Sequence, residues 1–179
     1  DQLSDQGGAA LAAGLGARSA DHLERTSEAG VRAMADAGTV AVLLPGAYLY
    51  IRDDHPPPVA RFREAGVPLA LATDFNPGTS FTQSMPEVIN IACCMMRLTV
   101  AEAINAATVN AAWSLDRGRD IGSIEKGKKA DLIILDCRSH LFLGYRLGWN
   151  PVARLIKNGR EIFERPAMKI DGRSTSGIE

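Results

Sequence analysis

No run of apolar residues in this chain approaches the roughly 20 needed to cross a bilayer as a helix, so a transmembrane helix is excluded. Net charge is just as scarce. Twenty Lys and Arg against 21 Asp and Glu leave −1 at pH 7, with a pI near 6.4. Bulk electrostatic attraction is therefore absent, and neither nucleic acid nor an anionic membrane is expected as a partner. Cysteine is limited to three residues. Two of them, Cys93 and Cys94, are adjacent, and helix neighbours point in different directions, so they form neither a CxxC redox pair nor a paired zinc site. Buried, reduced thiols in a cytoplasmic protein are expected instead. The first residues show neither the basic segment nor the apolar stretch of a secretory signal. An initiator Met is also missing: Asp1 opens the chain within what reads as a strand-to-helix transition, which points to a truncated coding sequence that lacks part of its site.

What is present is ordinary globular material, 179 residues at 46% hydrophobic and 23% charged, enough for one generous domain or a domain with a small appendage. Residues 17–23 read as a short strand ending at Asp21 and His22. Ser27 is placed to cap a helix that carries Val31, Met34 and Ala35 and stops at Gly38. Residues 39–44 form an aliphatic run apolar on both faces, as a buried parallel strand requires. A loop follows over 47–58, bearing Tyr48, Tyr50, Arg52 and His55, before Pro57 or Pro58 opens a helix that stops at Gly66. Residues 67–73 make another buried strand, ending at Asp74. These consecutive βα units predict a parallel sheet, open or closed into a barrel, with function at the C-terminal strand ends.

After a loop over 75–83 come two helices. The second opens on a capping box, Thr99 with Glu102, and its Ala-rich body is expected to run to about Leu115. Beyond it the pattern becomes β: a turn-rich Gly122–Gly127, a strand over 131–136, and two short runs around Asn158-Gly159, a strong type I′ hairpin signal. The boundaries expected are 1–118 for the α/β part, 119–164 for a separate small sheet, and 165–179 for an irregular tail. No internal repeat is visible beyond the βα alternation.

Asp74 is the sharpest chemical candidate, because a carboxylate at a sheet mouth can bind a divalent metal or take a proton from bound water. Taken alone, it reads first as an N-cap or turn residue, helped by Asn76-Pro77-Gly78. His22 closes the preceding unit's strand, where imidazole can ligate a metal or donate to a developing oxyanion; a structural histidine is the plain alternative. Residues 76–80 offer N–H groups, an amide and hydroxyls suited to a carboxylate. Tyr48, Tyr50 and Arg52 fit either a substrate lid or surface packing. His55 is expected to be exposed.

Three segments together resemble imidazolonepropionase: Asp1-Gln-Leu-Ser4, Ser19-Ala-Asp-His-Leu-Glu24, and Leu71-Ala-Thr-Asp-Phe-Asn-Pro-Gly-Thr79. The run Gly122-Ser-Ile-Glu-Lys-Gly-Lys-Lys-Ala-Asp-Leu-Ile133 is similar to a C-terminal signature of the wider amidohydrolase superfamily. The resemblance covers Asp1 to about Phe163. It implies an α/β fold, the C-terminal part of a metal-dependent hydrolase (β/α)8 barrel plus part of a small β-sandwich domain. The implied reaction is hydrolysis of 4-imidazolone-5-propanoate to N-formimidoyl-L-glutamate, with one zinc or iron held by an HxH pair, another histidine and an aspartate. Matched residue by residue, Asp74 is the metal aspartate and proton acceptor, and His22 is the histidine that polarises the substrate carbonyl. Gln2, Asn76, Gly78 and Thr79 match substrate-binding positions; Gln2 stands where some members have Glu. The resemblance further implies a cytoplasmic enzyme with a small-molecule substrate, and a homodimer as a candidate assembly of the intact protein.

The HxH pair falls outside these 179 residues, and the third histidine would precede Asp1. One carboxylate does not make a tetrahedral zinc site, so this polypeptide alone is expected to bind metal poorly and not to turn over. Two other readings stay open. Another amidohydrolase, such as a deaminase of a nucleobase-like ring, would use the same barrel and Asp74. A non-catalytic α/β binding domain, complete as written, would fold as a cooperative monomer, whereas a truncated barrel would expose strand edges and aggregate.

Overall fold

The aliphatic runs form a three-stranded parallel sheet in the computed structural model, which describes residues 1–166 and, beyond them, the backbone of 169–170 and 173–174. Strand β1 is Ser19–Asp21, β2 is Val40–Leu43 and β3 is Leu69–Leu71, in the order β1-β2-β3. Ala41 stands opposite Ala20 on one side and Leu69 on the other. Because side chains alternate along a strand, β2 feeds two separate cores. Ala41 and Leu43 join Leu69 and Leu71 in a cluster with Met34, Phe62 and Val88. Val40 and Val42 join Ala70 and Ala47 on the other face. Burial on both faces is why these strands read as unbroken aliphatic runs.

The helices follow their end signals. Helix α1 is Gly8–Gly14. Helix α2, Glu28–Ala37, begins where the Ser27 side chain accepts the Gly30 N–H and ends at Gly38, whose φ of 69° is left-handed. Glycine reaches that conformation without a Cβ penalty. Helix α4, Val59–Ala65, ends the same way at Gly66, and helix α5 is Met85–Met96. Both arms of the capping box at Thr99 and Glu102 open α6, Val100–Ala107.

Two expectations are corrected along this stretch. The loop expected over 47–58 begins as helix α3, Pro45–Tyr50. Pro45 occupies the first turn, where its missing N–H costs nothing, and Ala47 and Tyr48 are buried there. The single Ala-rich helix expected to reach Leu115 breaks at Thr108 (φ −126°, ψ −84°), leaving α7, Val109–Ser114, as a separate element. The Thr108 hydroxyl donates to the Ile104 carbonyl at 2.7 Å, a local bond that competes with the helical ladder. Break and all, α7 docks against β2 and β3. The thiols are a third correction: all three cysteines are free, but Cys94 is exposed and Cys93 and Cys137 only half-buried.

The second sheet is antiparallel, with β4 (Leu132–Leu135), β5 (Val152–Lys157) and β6 (Arg160–Glu164) in that order. Asn158 and Gly159 both take positive φ, 50° and 76°, as a type I′ turn demands. A short helix, α8 (Phe142–Tyr145), interrupts the β pattern. It packs on α5 and on the start of α6: a Cβ on Gly144 would lie 3.4 Å from Cys93 Sγ and 2.4 Å from Val100 Cγ2, and Leu143 is buried in the same cluster as Val88 and Ala103. The irregular tail expected over 165–179 lies largely outside the described residues; within it, Lys169–Ile170 pairs antiparallel with Arg173–Ser174.

Candidate active site

Strands β1 and β3 flank β2 and are not paired with each other, yet their ends converge. His22, directly after β1, and Asp74, three residues after β3, both adopt left-handed backbone conformations, φ 54° and 48°. Such φ values are uncommon outside glycine, though His and Asp tolerate them better than most, and they recur at functional sites. Here they bring the two side chains together across the end of β2, with His22 Nε2 3.5 Å from Asp74 Oδ2. Each side chain is about three-quarters buried, at 28% and 26% exposed. Asp74 Oδ2 and His22 Nδ1 are shielded from water and lack a hydrogen-bond partner among the described residues. Buried polar atoms rarely stay unpaired, because desolvation without a replacement bond costs free energy. Orphaned atoms on two facing side chains leave hydrogen-bonding or ligating capacity free at this point.

The surroundings are acidic. Burial pushes the Asp21 carboxyl above its usual range, His22 opposes that shift, and the charge of Asp74 adds to it. Glu24 is almost fully buried and is also raised, first by burial and against the pull of its own backbone N–H and of His22. Its Oε2 is partnerless as well. One imidazole thus sits among three carboxylates. Glu24 was not singled out from the sequence; its place two residues beyond a strand-end histidine was the available signal.

The loop after Asp74 is built by Asn76. Its Oδ1 accepts the N–H groups of Gly78 and Thr79, each at 2.8 Å. Its Nδ2 donates to the Asp74 carbonyl at 2.6 Å and to Thr79 Oγ1 at 3.0 Å. Asn76, Gly78 and Thr79 are therefore neighbours beside Asp74, but their three N–H groups, which the sequence offered to an anion, are taken up within the loop. Ser80, expected to present its hydroxyl there, is instead fully buried.

Gln2 is held through its main chain. Arg25 Nη1 donates to the Gln2 carbonyl at 2.6 Å, while Arg25 grips Asp53 in a two-pronged pair at 2.8 and 2.9 Å. That pairing holds the Asp53 carboxyl below the usual carboxylate range. The Asp1 carboxylate anchors the same segment by accepting the N–H groups of Gly8 and Ala9, both at 3.0 Å, at the start of α1.

The aromatic residues divide. Tyr48 belongs to the core, whereas the Tyr50 ring meets Phe81 edge-on, with centroids 4.9 Å apart, and so links α3 to the loop after Asp74. His55 is exposed beside Asp54. Asp53, Asp54 and His55 are the one group of three metal-ligand-type side chains clustered among the described residues. No such group gathers at Asp74. Its partnerless Oδ2 fits a role as one metal ligand, but a four-ligand site needs donors from elsewhere.

The amidohydrolase family profile matches residues 3–174. The chain belongs to the amidohydrolase family. Imidazolonepropionase of Methylobacterium nodulans is 54% identical over 160 residues, which is 89% of this chain and 40% of that protein; imidazolonepropionase of Cupriavidus necator is 52% identical over 160 residues, 89% and 38% of the two chains. This amidohydrolase thus spans about 40% of the length of the curated relatives it matches. E. coli guanine deaminase superposes with a TM-score of 0.71 at 20% identity, over 83% of this chain and 39% of that one. An adenosine deaminase from Xanthomonas campestris, solved with bound zinc, gives 0.70 at 26% identity, over 80% and 36%. The fold is accordingly that of part of an amidohydrolase (β/α)8-barrel enzyme, as the sequence led us to expect. Among the described residues no helix is long and apolar enough to cross a membrane.

Proposed function

We propose that the intact protein is an imidazolonepropionase, a cytoplasmic enzyme that hydrolyses 4-imidazolone-5-propanoate to N-formimidoyl-L-glutamate in histidine degradation. The observation that carries this reading is the facing of His22 and Asp74 at 3.5 Å, each with a partnerless buried atom, in a chain 54% identical to an enzyme of that name.

Asp74 would serve as one ligand of a single zinc or iron ion, the other donors coming from outside these residues. Bound there, the metal would supply Lewis-acid activation that brings the pKa of water towards neutrality. Asp74 then accepts the proton of the attacking water as its oxygen bonds to the ring carbonyl carbon. His22 donates a hydrogen bond to the carbonyl oxygen while charge accumulates on it. As the C–N bond breaks, Asp74 returns the proton to the departing ring nitrogen, so one water is consumed and the ring opens. The internally hydrogen-bonded Asn76–Thr79 loop would border the place for the substrate, with Gln2 a further contact. An amide at Gln2 neither gives up nor takes on a proton near neutral pH, so acid–base work falls to Asp74.

The test is replacement of Asp74 by Ala in a protein of the relatives' full length. Turnover of imidazolone propanoate should fall below about one thousandth of the unaltered rate; near-normal turnover would remove the reading. A second reading, deamination of a nucleobase-like ring, is favoured by the likeness to two deaminases. Ammonia release from guanine or adenosine, exceeding ring opening of the imidazolone, would select it.

A further inference from the structure

We propose that Ser80 and Gly46 form a latch that positions Asp74, a role resting on the assignment of Asp74 as the working carboxylate. Ser80 is completely buried, and its hydroxyl donates to the carbonyl of Thr73 at 2.7 Å. That carbonyl belongs to the peptide that leads into Asp74, the residue forced to φ 48°. The same Ser80 closes the other side of the loop, its own carbonyl accepting the Asn76 N–H at 2.9 Å. Asp74 is thereby bracketed. The peptide before it is pinned by the Ser80 side chain, and its own carbonyl is pinned by Asn76 Nδ2.

The latch closes only because residue 46 has no side chain. A Cβ built on Gly46 would stand 2.4 Å from Ser80 Oγ, with Thr82 Cγ2 at 3.3 Å and the Thr73 carbonyl at 3.5 Å. Gly46 lies in the first turn of α3, directly beyond β2. The central strand's exit therefore supplies the floor on which the β3 loop seats. A left-handed Asp costs free energy that the surroundings must offset, and these two hydrogen bonds on either side of it do so. Without the Thr73 bond the 73–74 peptide can relax towards extended geometry, which moves the carboxylate away from His22. Ser80 and Gly46 are positioning residues and touch no reacting atom.

Three variants of the metal-loaded protein at the relatives' full length test this. Ser80→Ala should lower kcat about 10- to 100-fold, with KM changed less than about threefold. It should also weaken metal retention against a chelator about 10- to 100-fold, while the far-UV spectrum is unchanged. Gly46→Ala should lower both activity and thermal stability, because its methyl collides with Ser80 Oγ. In Gly46→Ala/Ser80→Ala the collision is relieved but the Thr73 bond is still missing, so stability should return and kcat should not. Recovery of kcat in the double variant would overturn the proposal, as would a Ser80→Ala protein whose kcat and metal retention stay within about twofold of normal. Asp74→Asn is the control: if it remains active, the assignment of Asp74 fails and the latch with it, whereas an inactive Asp74→Asn beside a normal Ser80→Ala refutes the latch alone.

Discussion

At the scale of single residues, Glu102 shows how one side chain can join two elements. Its Oε2 accepts the Thr99 N–H at 2.8 Å, closing the capping box, while Oε1 accepts Arg63 Nε from α4 at 2.8 Å. The Arg63 hydrogen bonds, backed by the contacts to Thr99 and opposed by partial burial, take its pKa from 4.5 down to about 2. A carboxyl depressed in the folded state stabilises the fold above its unfolded pKa, and that contribution is lost as pH falls through the folded value. Stability from Glu102 should therefore be complete above about pH 5 and decline towards pH 2. Glu102→Gln should cost about 1 kcal/mol at pH 6, kept modest because the pair is partly solvated. Urea midpoints measured for both proteins should converge as pH drops towards 2.5; a constant gap would show that charge is not the cause. The capping box was legible in the sequence because it is local. The Arg63 partner, 39 residues away, was not.

At the scale of elements, the connection from α7 to the second sheet depends on Gly122. Its φ is 98°, and a Cβ there would lie 2.6 Å from Ala112 Cβ and 3.0 Å from the Thr108 carbonyl. Gly122→Ala combines a left-handed penalty with a steric collision and should cost about 2–4 kcal/mol. Because the collision lies on α7, protease cleavage over 118–128 should rise in the variant. A denaturation midpoint and cleavage pattern matching the parent would contradict the docking. Helix ends and the Asn158-Gly159 hairpin were readable since each is specified within a few residues. The break at Thr108 and helix α8 were not, because neither has a strong local signal: α8 is held by Leu143 and Gly144 packing on α5 and the start of α6.

For the whole molecule, β1 and β3 each pair on one side only among the described residues, and large apolar side chains such as Leu3, Leu11, Leu15 and Phe75 are exposed. Unpaired strand edges and uncovered apolar surface favour association. The isolated 179-residue polypeptide should therefore self-associate with rising concentration in sedimentation velocity, and a sharp monomer at all concentrations would instead favour the self-contained binding domain. It should also fail to retain zinc at one ion per chain after gel filtration, since Asp74 has no cluster of fellow ligands among the described residues. Stoichiometric, chelator-resistant zinc would contradict that outcome.

The sequence by itself determined the parallel α/β class, the strand ends that carry His22 and Asp74, and the separate antiparallel sheet, because alternation, caps and turn residues act over short stretches of chain. Only the tertiary structure decided that His22 and Asp74 face each other across β2, that Asn76 and Ser80 turn inward to hold Asp74, and that Gly46 makes room for them. Those facts depend on how segments tens of residues apart are packed, and steric fit between distant segments leaves no periodic trace in the order of amino acids.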